Sequence, residues 1–431
     1  MRTLIKNGTI WYQGKWFNGD IDIENGVIKG ISSEIKNFSN NYKIYDARGK
    51  IVIPGLIDLH VHLREPGFEE KETIRTGSKA AVAGGFTTIA VMPNTNPVID
   101  KPNLVTFIKG KAKEANYAKI LPIGAITYGE RGEELTDFAE MKKTGAIGFS
   151  DDGKGVQLAI TMKKAMEKAM LLGVSIIAHC EDESLVQDGV IHSGELAEKL
   201  GVSTISSESE YLQLARDLIL AGITGVHYHV CHISTKESVQ LIREAKLKGI
   251  NVTAEVTPHH LILFQRDICH PYSLYKVNPP LRTEEDRIAL IDGLIDGTID
   301  IIATDHAPHT DSEKSKNIMD APFGMIGLEI AFPALYTRLV KTNILSIELL
   351  INKLTYMPSK IYNLNSGIIE IGSKADITII DLNLTKIVDS KTFYSKGSNT
   401  PFLGMELSGW PVLTIVDGEI KWRYEEGLRD G

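Results

Sequence analysis

The residues best suited to chemistry stand in Asp58-Leu-His60-Val-His62-Leu-Arg64-Glu-Pro-Gly67, directly after the apolar run Lys50-Ile-Val-Ile-Pro-Gly-Leu-Ile57. Side chains alternate along a strand, so His60 and His62 share a face, roughly 6.5–7 Å apart along the chain. Imidazole nitrogens at that step can hold one zinc ion without distorting the backbone. Groups of the same kind recur downstream: Asn94 in Met92-Pro-Asn94, Asp151 and Asp152 before Gly153, His179, His232 after Cys231, and Asp305 and His309 in Thr304-Asp-His-Ala-Pro-His309. Each follows an apolar run. Three such ligands hold one catalytic zinc, and six suffice for two metal ions sharing a bridging carboxylate. Two divalent ions about 3.5–4 Å apart make hydroxide available near neutral pH, and a nearby carboxylate can pass its proton to a leaving nitrogen. That is the chemistry of amide hydrolysis.

Such groups need a frame that brings them to one place. Apolar, strand-like runs recur at residues 87–92, 119–125, 146–149, 174–178, 226–230, 251–256 and 300–303, and with 51–53 and 56–57 taken together as one run ahead of them they make eight. Amphipathic helices are predicted between them, at 74–83, 158–172, 209–220 and 235–248, from apolar residues near the 3.6 period. Strands that are apolar on both faces pair in parallel beneath covering helices, and eight such units predict an α/β fold, the (β/α)8 barrel. Barrel enzymes carry their chemistry at the C-terminal strand ends, which is where the candidate ligands fall. The chain ends read differently. Asn7-Gly8, Asn25-Gly26 and Asp417-Gly418 are hairpin signals between alternating segments. Residues 1–53 and 366–431 are therefore expected to form one small β-sandwich domain beside a barrel of residues 54–365. The polar stretch 306–325 is expected to order over the substrate, because loops of that length in a compact barrel are commonly functional.

Composition narrows the function class. The chain has 431 residues, 43% hydrophobic and 24% charged, with a net charge of -8 and no long like-charge block. An acidic surface without a basic stripe argues against nucleic acid. The N-terminus lacks the apolar stretch of a signal peptide, and no run reaches the roughly 18 residues of a membrane span, so a cytoplasmic protein without membrane contact is expected. Cys180, Cys231 and Cys269 show no paired spacing; Cys180 and Cys231, next to His179 and His232, are expected to face away from them as small buried side chains. His227, His229, His259 and His260 are assigned to packing.

The Asp58-Leu-His60-Val-His62-Leu-Arg64 stretch, Met92-Pro-Asn94-Thr and Ala303-Thr-Asp305-His-Ala-Pro-His309 together resemble the dihydroorotases, and more narrowly the long bacterial and archaeal type in the amidohydrolase superfamily. The resemblance spans essentially the whole chain. It implies a zinc enzyme with two ions per chain that interconverts N-carbamoyl-L-aspartate and dihydroorotate. One ion would take His60, His62 and Asp305, and the other His179 and His232. In many relatives a carboxylated lysine at the end of the fourth strand bridges the metals. Here that segment is Gly148-Phe-Ser-Asp-Asp-Gly153, and Lys154 lies beyond the turn, so the resemblance assigns the bridge to Asp152 rather than Asp151. It makes Asp305 the proton carrier, gives Arg64, Asn94 and His309 to the substrate carboxylate, and gives Asn278 and the backbone of Phe323 and Gly324 to the pyrimidine ring. A guanidinium fork suits a planar carboxylate. Partners compatible with the resemblance are a second copy of the chain and aspartate transcarbamoylase. The alternatives are an allantoinase or hydantoinase and an inactive structural subunit of the transcarbamoylase.

Overall fold

The computed structural model describes residues 2–36 and 42–424. Strands β1 (Arg2–Tyr12), β2 (Lys15–Glu24), β3 (Val27–Ser32), β4 (Tyr42–Asp46) and β5 (Ile51–Pro54) open the chain. Next come β6 (Leu56–Val61), β7 (Phe86–Val91), β8 (Lys119–Pro122), β9 (Gly124–Ala125), β10 (Gly148–Ser150) and β11 (Ser175–Ala178). They are followed by β12 (Ile191–His192), β13 (Thr204–Ile205), β14 (Tyr228–Val230), β15 (Val252–Val256) and β16 (Ile301–Ile302). The last are β17 (Ile377–Ile387), β18 (Glu406–Val416) and β19 (Glu419–Arg423).

The two chain ends meet in one sheet, ordered β19-β18-β17-β5-β1-β2-β3 with β4 beside β1. The join is antiparallel, with Ile377 opposite Pro54 and Ile380 opposite Ile51. The expected sandwich is a single hydrogen-bonded sheet because β1 pairs with β4 near its start and with β5 further along. Its own core holds Ile5, Ile10, Ile21, Val52, Ile379 and Leu413. Ile51 to Ile53 thus belongs to this sheet; the chain leaves it at Gly55 and enters a different one as β6. Asn25-Gly26 and Asp417-Gly418 both turn with positive φ, as a tight hairpin requires. Asn7-Gly8 does not turn. It is an irregularity inside β1, where the register to β2 shifts and Asn7 sits at φ 60 with its amide on Asp20 Oδ1 at 2.9 Å. Residues 1, 37–41 and 425–431 of the expected end segments lie outside the described residues.

The middle of the chain is built of parallel strands in sequence order, β6-β7-β8 and β9-β10-β11-β14-β15-β16, while β12 and β13 form a separate short ribbon. Ile123, the residue between β8 and β9, donates its N–H to Val91 O at 3.0 Å. Past β16, His306 bridges Val61 in parallel, and His62 N donates to His306 O at 2.9 Å. Asp58 fastens the same seam by accepting from Thr304 N at 3.1 Å and Thr304 Oγ1 at 2.6 Å. Every residue of β6 and β7 is buried, as their apolar composition requires. One face packs on the helices, and the other contributes Ile57, Leu59 and Ala90 to a separate cluster with Ile177 of β11 and Ile301 of β16.

The predicted helices form at Ile74–Ala83, Ala159–Leu172, Glu208–Thr224 and Lys236–Leu247. Thr73 and Thr235 cap the first and last through their hydroxyls, each worth about 1 kcal/mol. Glu208–Thr224 runs past the predicted 220 and stops at Gly225, whose φ of 73 favours glycine. Among the described residues, no helix is long and apolar enough to cross a membrane.

Candidate active site

The C-terminal ends of the parallel strands gather the candidate ligands into one buried cluster. In β6, Leu59 and His60 stand opposite the single residue Ala90 of β7, a local bulge of the kind that re-aims a side chain. The His60 and His62 rings lie 5.3 Å apart. His60 Nε2 is 3.5 Å from both Asp152 Oδ1 and Asp305 Oδ1. His62 Nε2 is 3.0 Å from Asp305 Oδ1 and 3.5 Å from Asp152 Oδ2. On the far side, His232 Nε2 is 3.8 Å from Asp152 Oδ1 and 3.1 Å from His179 Nδ1. The ligand atoms therefore fall into two groups, His60 with His62 and Asp305, and Asp152 with His179 and His232, each within 4.8 Å. Asp152 reaches both.

The neighbouring carboxylates part company as alternation requires. Asp151 turns away, accepting from Thr127 N at 3.0 Å and from the Thr127 hydroxyl. Asp152 faces the cluster, where its Oδ1 is buried and without a hydrogen-bond partner.

The donor set fits divalent metal ions. His60 Nε2 is likewise buried and unpartnered, beside the orphaned Asp152 oxygen. Such atoms are costly unless a proton or a cation joins them. Burial opposes charge on His60, yet Glu255 and Asp152 drive its pKa well above the ordinary histidine value. Burial likewise opposes ionisation of Asp152, but His60 and His232 hold it well below the carboxylate range. This is a demand for positive charge between the two side chains. Backbone strain marks the same place: Arg64, His232 and Asp305 sit at φ 60, 26 and 48, a conformation that costs non-glycine residues about 1–3 kcal/mol each.

The left-handed turn at His232 also corrects one expectation. Cys231 does not face away from the cluster: it packs with Leu59 and Ile177, and its sulfur lies near the ligand atoms of His60 and Asp152. Cys231 still donates its N–H to Ala178 O at 2.9 Å and faces inward, opposite to Val230, as alternation requires; it is His232, at φ 26, that leaves the alternation and joins it at the cluster. Burial and the nearby Glu255 raise the Cys231 pKa, which keeps the thiol neutral and a poor ligand. Cys180 does point away, to Tyr228 Oη at 3.3 Å.

A cavity of about 150 Å³ opens over the cluster, lined by His62, Arg64, Asn94, Asp152, Gly153, His179, His232, Asn278, Asp305, Ala307, Phe323 and Gly324. Arg64 is half-buried at its edge, with Nε donating to Pro308 O at 3.2 Å. His309 Nε2 lies 2.8 Å from Phe323 O and 3.3 Å from Arg64 Nη2. The shorter contact makes Nε2–H the donor to Phe323, which leaves the Arg64 N–H free of that acceptor. Asn94 is more constrained than expected: its Oδ1 accepts from His62 Nδ1 at 2.9 Å and its Nδ2 donates to Asp152 Oδ2 at 3.1 Å. It orients two candidate ligands. Asn278 Nδ2 donates to Glu181 Oε2 at 3.0 Å, while its buried Oδ1 is unpartnered. A Cβ on Gly324, at φ 124, would meet Ala307 Cβ at 2.7 Å, so only glycine lets this backbone approach. A larger cavity of about 970 Å³ lies on the outer side of the 306–325 stretch, apart from the metal-type ligands.

With this geometry in hand, the chain can be set beside known proteins. A Dihydro-orotase-like family model matches residues 49–238. A dihydroorotase from Geobacillus sp. (strain WCH70) is 52% identical over 98% of this chain and 99% of its own. The chain belongs to the dihydroorotase family. A dihydroorotase from Halalkalibacterium halodurans is 51% identical over 100% of both chains. Among solved structures, the L-hydantoinase of Arthrobacter aurescens superposes with a TM-score of 0.88 at 26% identity, covering 97% of this chain and 95% of that one. Against this background of dihydroorotase relatives, β10 ends in Ser150 with no lysine, and the Asp152 carboxylate occupies the centre of the cluster.

Two site carboxylates escape a reading of strand ends. Glu255 receives His60 Nδ1 at 2.6 Å, and Glu181 receives His179 Nε2 at 3.2 Å. The signal for Glu255 is a lone charge inside the apolar run of β15; that for Glu181 is its position two residues past His179.

The stretch 306–325 is folded rather than open loop. It carries a short helix, Asp311–Lys314, and its end returns to pair with His306. Lys314 is buried, and its Nζ donates to Gly324 O at 2.9 Å and Pro322 O at 3.0 Å. Lys314→Met should leave the Pro322 carbonyl unsatisfied and Gly324 O held by Asn399 Nδ2 alone, lower stability by about 1–3 kcal/mol in denaturant unfolding and raise KM by loosening Phe323 and Gly324. Burial lowers the Lys314 pKa to about 7. The unfolded chain therefore binds the extra proton between that value and the free-lysine range, so the wild type gains stability as pH rises through this window. The variant should lack that gain.

Proposed function

We propose that this chain interconverts dihydroorotate and N-carbamoyl-L-aspartate in pyrimidine synthesis, with two zinc ions held by His60, His62 and Asp305 and by His179 and His232, and with Asp152 between them. The observation that carries the proposal is convergence: His62, Asp152, His179, His232, Asp305 and a half-buried Arg64 all open onto one small cavity. Bound there, the ions would supply an ionised water near neutral pH and polarise the amide carbonyl. The chain's own groups do the rest. The Arg64 guanidinium pairs with the substrate carboxylate, helped by the neutral His309 ring packed against it. Asn278 Oδ1 accepts a ring N–H, and the Phe323–Gly324 backbone closes the ring edge. Asp305 takes the proton released by the attacking water and returns it to the departing ring nitrogen. Ring closure reverses these steps.

The same reading takes the parallel strands as a closed (β/α)8 barrel over residues 54–365, supported by the Val61–His306 bridge, with residues 1–53 and 366–431 as the β-domain. It places the enzyme in the cytoplasm. Its macromolecular partners would be a second copy and aspartate transcarbamoylase, and sedimentation of the chain alone and with a transcarbamoylase tests both.

The deciding experiment is turnover of dihydroorotate, hydantoin and allantoin by metal-quantified protein. Turnover confined to the last two would overturn the substrate assignment. Arg64→Met should raise KM for dihydroorotate by about 10²-fold, the loss of a charge-assisted pair in a buried site, with a smaller change in kcat. An unchanged KM would remove Arg64 from substrate binding.

A further inference from the structure

Beneath His60, side chains of β11, β14 and β15 and of His227 just before β14 form a polar column that the ligand cluster leaves unused. Ser175 Oγ lies 2.6 Å from His227 Nδ1, and His227 Nε2 lies 2.9 Å from Thr253 Oγ1. Thr253 Oγ1 is 2.7 Å from His229 Nδ1, and His229 Nε2 is 3.1 Å from Glu255 Oε2. Glu255 Oε1 then meets His60 Nδ1 at 2.6 Å, and the same oxygen accepts from His232 N at 3.3 Å. One buried carboxylate thus contacts both the β6 and the β14 ligand segments.

The column has a single direction of donation. Glu255 has a ring nitrogen against each of its oxygens and the His232 N–H on Oε1 as well, so it is the acceptor in all three contacts. His229 must donate through Nε2–H and His60 through Nδ1–H. The lone pair left on His229 Nδ1 takes the Thr253 hydroxyl proton. Thr253 in turn accepts from His227 Nε2–H, and His227 Nδ1 accepts from Ser175. Burial lowers the His227 pKa to about 4, in keeping with a neutral ring. Every donor is used once. What remains at the top is His60 Nε2, aimed at Asp152 and Asp305.

We infer that Glu255, braced by His229, Thr253 and His227, is a positioning residue that fixes His60 with its proton on Nδ1 and so presents Nε2 to a divalent metal ion. The inference rests on the two-metal reading proposed above. A carboxamide at 255 would offer one acceptor and one donor where both neighbours need acceptors. Either His60 changes tautomer and loses its free Nε2, or His229 changes and the donation order must reverse down to Ser175.

Zinc titration of metal-depleted protein against a chromogenic chelator tests this, together with ring ¹⁵N shifts of His60 and unfolding of the metal-free forms. Glu255→Gln should weaken zinc binding by about 10- to 100-fold, the usual effect of removing a ligand's hydrogen-bond partner. Its metal-free form should unfold as the wild type does, and the His60 ring signals should depart from the Nδ1–H pattern. Thr253→Val, further down the column, should weaken zinc binding less. Wild-type zinc affinity in Glu255→Gln would overturn the inference. If that variant fails to fold, unchanged affinity in Thr253→Val overturns it instead. A wild-type protein that binds no zinc refutes the two-metal reading, and the ¹⁵N pattern of His60 still decides whether Glu255 sets its tautomer.

Discussion

Asparagine at position 305 should lower dihydroorotate turnover by about 10²- to 10⁴-fold, the span expected for a lost general acid–base group. The side chain does little for the fold. Its Oδ1 lies 3.0 Å from His62 Nε2 and 3.5 Å from His60 Nε2. Asp58, by contrast, holds Thr304 and the amide of His60, and it is the carboxylate whose loss would open the seam between β6 and the segment after β16. Burial opposes ionisation of Asp305, but His62 and His60 pull its pKa far below the ordinary range. The carboxylate is then ionised at neutral pH. Activity that depends on it should fall only as pH drops well into the acid range. Because Asp305 also belongs to one ligand group, metal content must be measured in the same preparation. Lost turnover with both ions retained identifies the proton carrier. Lost turnover with lost metal makes it a ligand alone, and near-normal turnover excludes both roles.

The site was legible to the degree that each residue's direction follows from local rules. A histidine or aspartate closing an apolar run is conspicuous, and His60, His62, His179, His232 and Asp305 all reach one cluster. Alternation also says that only one of Asp151 and Asp152 can face it, though choosing between them needed the family resemblance; the Thr127 contacts of Asp151 supply the physical reason. Local rules fail where the backbone leaves its ordinary region. His232 reaches the cluster beside Cys231, and not on the opposite face, because it leaves the strand at φ 26. The same dipeptide type forms a turn at Asn25-Gly26 and a bulge at Asn7-Gly8, since only the first has both strands ending beside it. Residues 51–53 read correctly as a strand, but which sheet a strand joins is set by partners far along the chain, here β1 and β17. The lone charge of Glu255 shows in β15, but its purpose does not, for the same reason: its partner His60 is 195 residues away.

Asp152 carries the other large effect, and its neighbour provides the control. Its Oδ1 and Oδ2 lie 3.5 Å from His60 Nε2 and His62 Nε2, and Oδ1 is 3.8 Å from His232 Nε2, so one carboxylate spans both ligand groups. Asp152→Asn keeps the shape and the Asn94 contact within reach but removes the negative charge that lets two cations share the cluster. Metal content should fall below two ions per chain, and turnover should drop by about 10³-fold or more, the several kcal/mol that a paired metal site contributes. Asp151→Asn changes the same charge one residue away. Its carboxylate serves Thr127 and stands off the cluster, and burial raises its pKa to about 6, so neutralising it removes little that the folded state depends on electrostatically. That variant should retain both metals and most activity. Equal metal loss in the two variants would mean that net charge near the strand end, and not the position of Asp152 between the two groups, is what holds the ions.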